Sequence, residues 1–405
     1  MKKDISKLFN LQGVLVDNIK IDDNNKQIIL SCRSPRVYVK CPDCSKSHKK
    51  VHQRNKRLIK HGTLDDKIVI LKLTIKKLRC KHCNHLYREN FLGIDRRRTT
   101  PNFRLQLLNW LQRNSFSYIA LKFKISPATL VRYLIDINGD IKIDWSKINC
   151  TKIGIDEHSF RGKKMLITIT DLSNKKLLAI LHGDSKKEIK QFLMSIPNKY
   201  LNMINEACSD LRPSFKTVIK ECLPQAIHTA DRFHVEVLFR RALDEIRTVV
   251  QEEGAGRRMN MKKILWRNKD TLNEYELKRL DMIFEKYRNY PVLKQAWIIK
   301  EQVIYMYRAN SLEEATKRFN HVMMLLETPE HSKYLSTLKN TFKKWKVPIL
   351  NYFKYKTTNG FTEGCHTKIK MIKRVSYGFK NINNYIAKIT LAFLPLTWLT
   401  NYHQF

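Results

Sequence analysis

Acidic residues are scarce in this chain. Its 405 residues include 77 Lys and Arg but only 37 Asp and Glu, which leaves a formal net charge of +40 at pH 7. The imbalance indicates a polyanionic partner, because neutralising phosphates releases condensed counterions and a strong positive field steers encounter. A genome rich in A and T, which inflates Lys, Asn and Ile, is the alternative source of part of the excess.

Long apolar runs are also missing. Met1 to Asn10 is charged and no apolar segment of a signal peptide follows it. Ile386 to Leu399 is apolar, but Lys388 and Pro395 interrupt it and it is shorter than the roughly 20 residues of a membrane span. We therefore expect a cytoplasmic protein with no membrane partner, in which this segment forms a closing core helix.

Two of the cysteine pairs have the spacing of metal-binding turns. Nine cysteines in a reducing compartment favour thiols or metal ligands over disulfides. The pairs are Cys41-Pro42-Asp43-Cys44 and Cys80-Lys81-His82-Cys83, and four thiolates form the closed tetrahedral sphere of a structural Zn²⁺ site. A β-hairpin at Lys67 to Leu78 is predicted to fill the long gap between them. Free thiols are the alternative.

Basic side chains surround the cysteine pairs, and a helical segment follows. The basic residues predict that this module touches DNA, with a merely solvated face as the alternative. Leu105, Leu108 and Leu111 lie at helical spacing, Tyr118-Ile119-Ala120 opens a second helix, and Ser126-Pro127-Ala128-Thr129 caps a third. This pattern resembles a helix-turn-helix, whose recognition helix would bring Thr129 and Arg132 to DNA. A plain three-helix packing unit is the alternative.

From Thr151 the pattern becomes three strands, a helix, a strand, a helix and a strand. Three short apolar runs end at or near Asp156, Asp210 and Asp231. The order is that of a ribonuclease-H-like sheet, in which the first and fourth strands are neighbours, so Asp156 and Asp210 should meet at one edge. Carboxylate oxygens are ligands for Mg²⁺ or Mn²⁺. Asp171 should lie at the far end of its strand as a turn residue.

Two further residues are candidates for the same site. His234 follows Asp231 by one helical turn and is predicted to bond a phosphate or orient a ligand, whereas Asp231 is alternatively a simple helix cap. Residues 240 to about 350 are helical in pattern. Beyond them, Glu363 is the only acidic residue from His331 to Phe405, which favours a metal ligand; a helix reaching back to it would also present Thr367, Lys370 and Arg374.

Taken together, the chain resembles the ISL-three family of bacterial insertion-sequence transposases. The likeness is carried by the two cysteine pairs, Gly154-Ile155-Asp156-Glu157, Ser209-Asp210, Leu223-Pro224, Asp231-Arg232-Phe233-His234, Asn359-Gly360-Phe361-Thr362-Glu363-Gly364, Ile369-Lys370 and Lys373-Arg374. It implies a DDE transposase with Asp156, Asp210 and Glu363 as the metal-binding triad and Asp231 with His234 in support. Cys365-His366 departs from the family, which more often has a polar residue such as Asn.

The expected architecture is an α/β ribonuclease-H-like catalytic domain interrupted by an all-helical insertion and preceded by a zinc-binding β-rich module and a helix-turn-helix. The expected bounds are 1–98 for the zinc module, 99–146 for the helix-turn-helix, 147–239 and 351–405 for the two catalytic parts, and 240–350 for the insertion. Double-stranded DNA, as terminal inverted repeats and target, is the expected partner of a nucleoid-associated homo-oligomer. A DNA-binding regulator without strand transfer, or a nuclease that only cuts, are the alternatives.

Overall fold

A computed structural model describes residues 13–91, 93–140, 143–183, 186–254, 260–328 and 332–394, together with Ser6, Leu8, Phe9 and Leu11. The chain divides into two compact units. The first comprises Met1–Lys142 with Met371–Phe405, and the second comprises Ile143–Lys370. Within the described ranges, no helix is both long and apolar enough to cross a membrane.

The first unit begins with a five-stranded sheet and a small strand pair. In the sheet the order is β1-β2-β6-β5, with β7 beside β6, and β3 pairs with β4. Alternate residues of β2, namely Ile28, Leu30 and Cys32, are buried, as expected for a sheet with one face on a core. The strands are β1 (Leu15–Asp22), β2 (Gln27–Arg33), β3 (Val39–Lys40), β4 (Ser47–His48), β5 (Val51–Leu64), β6 (Lys67–Arg79) and β7 (Leu86–Arg88).

The hairpin predicted at Lys67 to Leu78 is wrong. This segment is the single strand β6, and its antiparallel partner is β5, upstream of it. The turn lies at Asp65 and Asp66, where Asp65 takes a left-handed conformation with φ 52°, which Asp tolerates in turns. The two CxxC turns are thus linked by one long hairpin.

Three helices follow the sheet, as predicted: α1 (Pro101–Leu111), α2 (Phe116–Lys122) and α3 (Pro127–Asp140). The Thr100 hydroxyl accepts the Phe103 N–H and the Ser115 hydroxyl accepts the Tyr118 N–H, which caps the first two helices. The leucines at helical spacing, including Leu108 and Leu111, are buried in a shared core.

A second five-stranded sheet opens the other unit, in the order β10-β9-β8-β11-β12. Strands β8, β9 and β10 are antiparallel, whereas β11 runs parallel to both β8 and β12. The elements are β8 (Lys152–Arg161), β9 (Lys164–Asp171), β10 (Lys176–His182), α4 (Lys186–Ser195), α5 (Asn198–Leu201), β11 (Glu206–Ser209), α6 (Pro213–Cys222) and β12 (Ile227–Ala230). The predicted order of strands and helices is confirmed; Ser185, the predicted start of α4, lies outside the described residues.

A helical region then packs around one large apolar core. Its helices are α7 (Arg232–Glu253), α8 (Lys262–Trp266), α9 (Glu274–Lys286), α10 (Pro291–Met306), α11 (Leu312–Leu326), α12 (Ser332–Lys344) and α13 (Lys346–Tyr355). Helix α13 returns this region to the sheet, where the Asn351 amide donates to the carbonyl oxygen of His228 in β12 at 2.8 Å.

Two helices complete the described chain: α14 (Gly360–Val375) and α15 (Ile382–Phe393). Within the first unit, α15 packs on α1 and α3, and Ala387 and Leu391 join their core. The Gln112 amide donates to the carbonyl oxygen of Leu391 at 3.0 Å. The closing core helix expected from Ile386 to Leu399 is therefore observed as far as Phe393, and its last predicted residues lie outside the described range.

Candidate active site

Two carboxylates meet where β8 and β11 run side by side. The parallel pairing extends from Lys152 opposite Glu206 to Ile155 opposite Ser209, so Asp156 and Asp210 each follow the last paired residue. The expectation that a strand ends at Asp156 is wrong, because β8 continues with β9 to Arg161. The pairing of β8 with β11 stops just before Asp156. The carboxylate therefore lies where the two strands no longer pair.

Asp231 and His234 come to the same edge from β12 and α7. Asp231 occupies the N-cap position of α7, but its carboxylate accepts no hydrogen bond from that helix. Its Oδ1 instead accepts the backbone N–H of Asn359 at 3.0 Å. Nε2 of His234 lies 3.8 Å from Oδ1 of Asp156. Asp156, Asp210 and His234 each offer one ligand atom within 4.8 Å of the others.

Glu363 lies in the first turn of α14, which reaches back to Gly360. Its N–H donates to the Asn359 carbonyl oxygen at 2.9 Å, and its buried Oε1 has no hydrogen-bond partner among the described residues. Burial and, next, the negative charge of Asp231 raise its pKa, while His234 opposes the shift. Glu363 therefore faces the same charges as the Asp156 cluster, although it is outside the three-residue group.

The cluster brings several carboxyl groups together in a buried site, where their ionised forms are unfavourable. Burial raises the pKa of Asp156 to about 8, and the charges of Asp210, Asp231 and Glu363 act in the same direction, opposed by the hydrogen bond from the Glu157 N–H. Burial also raises the pKa of Asp210, against the pull of His234 and Arg212. Such a group of carboxylates fits a hard divalent cation, which would replace the protons.

A network of polar side chains holds α14, the helix that carries Glu363, against the sheet. The Asn359 amide donates to the Ile155 carbonyl oxygen at 3.2 Å, and the hydroxyls of Thr170 and Thr362 are 2.7 Å apart. A Cβ on Gly154 would lie 2.6 to 2.7 Å from side-chain oxygens of Thr170, Asn359 and Thr362. Glycine at this position is therefore what lets the segment before α14 approach β8.

His366 also belongs to this site, which sequence reasoning noted only as a departure from the family. Its Nδ1 lies 3.7 Å from Oδ2 of Asp156, and its Nε2 lies 3.0 Å from the Thr168 hydroxyl, which also contacts Nδ1 of His158. Burial lowers the pKa of His366 to about 4, so the ring is neutral. The position of His366 one turn after Glu363 is the only signal in the sequence.

The other predicted residues have local surroundings of their own. Asp171 sits at the opposite end of β9, facing Ile153, and accepts the N–H groups of Ser173 and Asn174, which confirms it as a turn residue. Thr129 lies in the first turn of α3, where its hydroxyl accepts from Arg132 at 3.0 Å. Arg132, Lys370 and Arg374 are exposed.

Cys41, Cys44, Cys80 and Cys83 of the first unit form a second candidate metal-binding cluster. Sγ of Cys41 lies 3.6 Å from that of Cys83, and Sγ of Cys44 lies 3.4 Å from that of Cys80. All four sulfurs lie within 4.8 Å of one another. A tetrahedral Zn²⁺ with bonds of about 2.3 Å needs sulfurs roughly 3.8 Å apart, so the residues fit the ion.

Comparison with known proteins finds two family models that match this chain. A family model for ISL3, described as "Transposase", matches residues 153–389, and one described as "zinc-finger of transposase IS204/IS1001/IS1096/IS1165" matches residues 38–83. The "Transposase for insertion sequence element IS1001" of Bordetella parapertussis is 23% identical over 97% of this chain and 98% of that protein. The "Transposase for insertion sequence element IS1557" of Mycobacterium tuberculosis is 25% identical over 61% of this chain and 60% of that protein.

The two family matches thus define the class of protein as a transposase. The match over more than half of its length places the chain in the ISL3 transposase family.

Proposed function

We propose that this protein is a DDE transposase that binds the terminal inverted repeats of an insertion sequence and catalyses metal-dependent cleavage and joining of DNA strands. The observation that carries the proposal is the convergence of Asp156 and Asp210 at one edge of the sheet, with Glu363 brought toward the same charges by α14. These three residues would be the acidic triad.

The architecture supports this assignment. Three antiparallel strands followed by two parallel ones, with the first strand in the centre, is the arrangement expected of a ribonuclease-H-like sheet. The helices from α7 to α13 separate β12 from the helix that carries Glu363, as an insertion in a split catalytic domain would. Helices α2 and α3, joined by a short turn, would serve as a helix-turn-helix.

The chemistry follows from the oxygen ligands. Asp156, Asp210 and Glu363 would hold Mg²⁺ or Mn²⁺, which when bound lowers the pKa of water and stabilises the leaving 3′ oxygen. The carboxylates orient the attacking water or 3′-hydroxyl in line with the phosphodiester. Lys370 and Arg374 share the exposed face of α14, where they would contact the DNA backbone, and Thr129 and Arg132 would read the repeat.

The decisive test is cleavage of labelled DNA that carries the repeats flanking the gene, in Mg²⁺ or Mn²⁺. The wild type should nick at the repeat boundary, whereas Glu363→Gln should bind the same DNA without cutting it. Glu221→Gln, on the exposed end of α6, is the matched control and should cut normally. Equal cutting by Glu363→Gln would remove Glu363 from the triad. If the wild type binds the repeats and never cuts, a DNA-binding regulator replaces the transposase.

A further inference from the structure

The imidazole of His234 lies between two carboxylates and forms a hydrogen bond with neither. Its Nε2 lies 3.8 Å from Oδ1 of Asp156, and its Nδ1 lies 4.0 Å from Oδ2 of Asp231. Both distances are too long for a hydrogen bond. Nδ1 of His234 and Oδ2 of Asp231 are buried, and neither has a hydrogen-bond partner among the described residues.

A cation beside Asp156 and Asp210 accounts for this arrangement. The ring nitrogen of His234 lies within 4.8 Å of an oxygen from each of these residues, so one ion can contact all three side chains. A histidine that binds a metal usually donates its other ring N–H to a carboxylate, which fixes the ring. In Asp231, Oδ2 is the oxygen in position to accept that N–H, since Oδ1 already accepts the Asn359 N–H.

We propose that His234 is a direct nitrogen ligand of the catalytic cation and that Asp231 is the positioning residue that orients its ring. The proposal rests on the proposed function, which gives the cation its role. A nitrogen ligand works against Mg²⁺, which takes oxygen ligands and keeps several waters. Mn²⁺ accepts carboxylate and imidazole ligands together, so this site should bind Mn²⁺ more tightly than Mg²⁺.

The test is pulsed electron paramagnetic resonance of Mn²⁺ added to the full-length, zinc-loaded protein. Wild type should bind Mn²⁺ and show ¹⁴N modulation, which labelling with ¹⁵N-histidine should convert to the ¹⁵N pattern. Asp156→Asn should remove this ion and identifies its site. The labelling experiment needs no substitution at His234, so a variant that fails to fold does not leave the proposal untested.

Variants then assign the nitrogen. His234→Gln should lose the modulation and weaken Mn²⁺ binding more than Mg²⁺ binding. His366→Gln, the matched control, should keep the modulation, because His366 is not among the three side chains whose ligand atoms all lie within 4.8 Å of one another. Asp231→Asn should keep it but weaken Mn²⁺ binding by about 10-fold to 100-fold, as loss of an orienting carboxylate does.

The outcomes separate this inference from the function beneath it. Mn²⁺ that binds at Asp156 without ¹⁴N modulation overturns the nitrogen ligand and leaves the metal-dependent transposase standing. Modulation that survives His234→Gln and disappears in His366→Gln assigns the ligand to the wrong histidine and also overturns it. If no divalent cation binds at Asp156, the proposed metal-dependent function fails with it.

Discussion

The two candidate metal-binding regions of this chain are built in opposite ways. The cysteine cluster is closed, with four soft ligands supplied by two four-residue turns at the ends of one hairpin. The acidic site is open, with candidate ligands from β8, the end of β11, α7 and α14. A closed site of thiolates stabilises the fold, whereas an open site of carboxylates leaves positions for water and substrate. The first needs only local structure, but the second needs the whole sheet.

Removing one thiolate should have the largest effect and tests whether the closed site is structural. Cys80→Ser should abolish zinc binding and unfold the end of the hairpin, because structural zinc contributes an apparent 10 to 16 kcal/mol, roughly, to folding. Metal analysis should find one zinc per wild-type chain and almost none in the variant. Cys222→Ser, in the second unit, is the control. A full complement of zinc in Cys80→Ser would contradict the structural assignment.

The affinity of the open site for a divalent cation should depend on pH through the carboxyl group of Asp156. Because the pKa of Asp156 is raised to about 8, a proton must leave before the cation binds. Affinity for Mn²⁺ should therefore rise with pH and level off above about 8, by up to roughly tenfold per pH unit for one proton. Titrations at pH 6, 7, 8 and 9 measure this. Equal affinity at pH 6 and pH 8 would show that Asp156 is already ionised.

Crowding at Gly154 tests how far the open site depends on remote packing. Gly154→Ala places a methyl group against Thr170, Asn359 and Thr362, which should lower the free energy of unfolding by about 1 to 3 kcal/mol and slow cleavage. Thermal unfolding and the cleavage assay report the two effects.

Gly364→Ala is the matched control on α14, since nothing lies within 4 Å of its added Cβ. It should leave stability unchanged or raise it by about 0.5 to 1 kcal/mol, as helix glycines do. A Gly154→Ala variant as stable and active as this control would show that the polar side chains around Gly154 shift at little cost in free energy.

A buried lysine in the first unit should make the stability of the chain depend on pH. Nζ of Lys388 donates to the Asn114 carbonyl oxygen at 2.9 Å, and burial lowers its pKa to about 7. Between pH 7 and about 10 the folded chain therefore binds fewer protons than the unfolded chain, so stability rises with pH over this window. Below pH 7 both states are protonated and the dependence vanishes.

Lys388→Met should flatten that rise, which amounts to at most about 1.4 kcal/mol per pH unit. Unfolding of wild type and variant at pH 7, 8 and 9 measures the difference, with the exposed Lys380→Met as control. Parallel curves for wild type and Lys388→Met would mean that the lysine stays charged when buried.

The sequence predicted the features that local pattern determines. The CxxC turns, the order of strands and helices in the second sheet, and the three helices that follow the first sheet are all encoded by short segments. Glu363 stays a predicted metal ligand, which the scarcity of acidic residues around it favours. The network of polar side chains around Gly154 and Asn359 was not predicted, because it depends on contacts between segments far apart in the chain. The sequence does not indicate which strand a polar side chain will contact.

The same reason explains the errors in the strands. An uninterrupted alternation such as Lys67 to Leu78 fits one long strand or two short ones, and the pairing partner decides between them. The apolar run that ends at Asp156 also could not show that β8 extends beyond β11, its parallel neighbour. The ring of His366 lies beside Asp156 because α14 starts at Gly360, and the sequence alone does not mark that start.

The packing of α15 on α1 and α3 also has a consequence for synthesis. The core of these helices includes Ala387 and Leu391, so the segment around residues 103–137 emerges from the ribosome long before its last partner exists. Until translation has passed Phe393, part of this apolar surface stays uncovered. A nascent or prematurely terminated chain therefore carries an unfinished first unit, and only a polypeptide translated past that point can complete it.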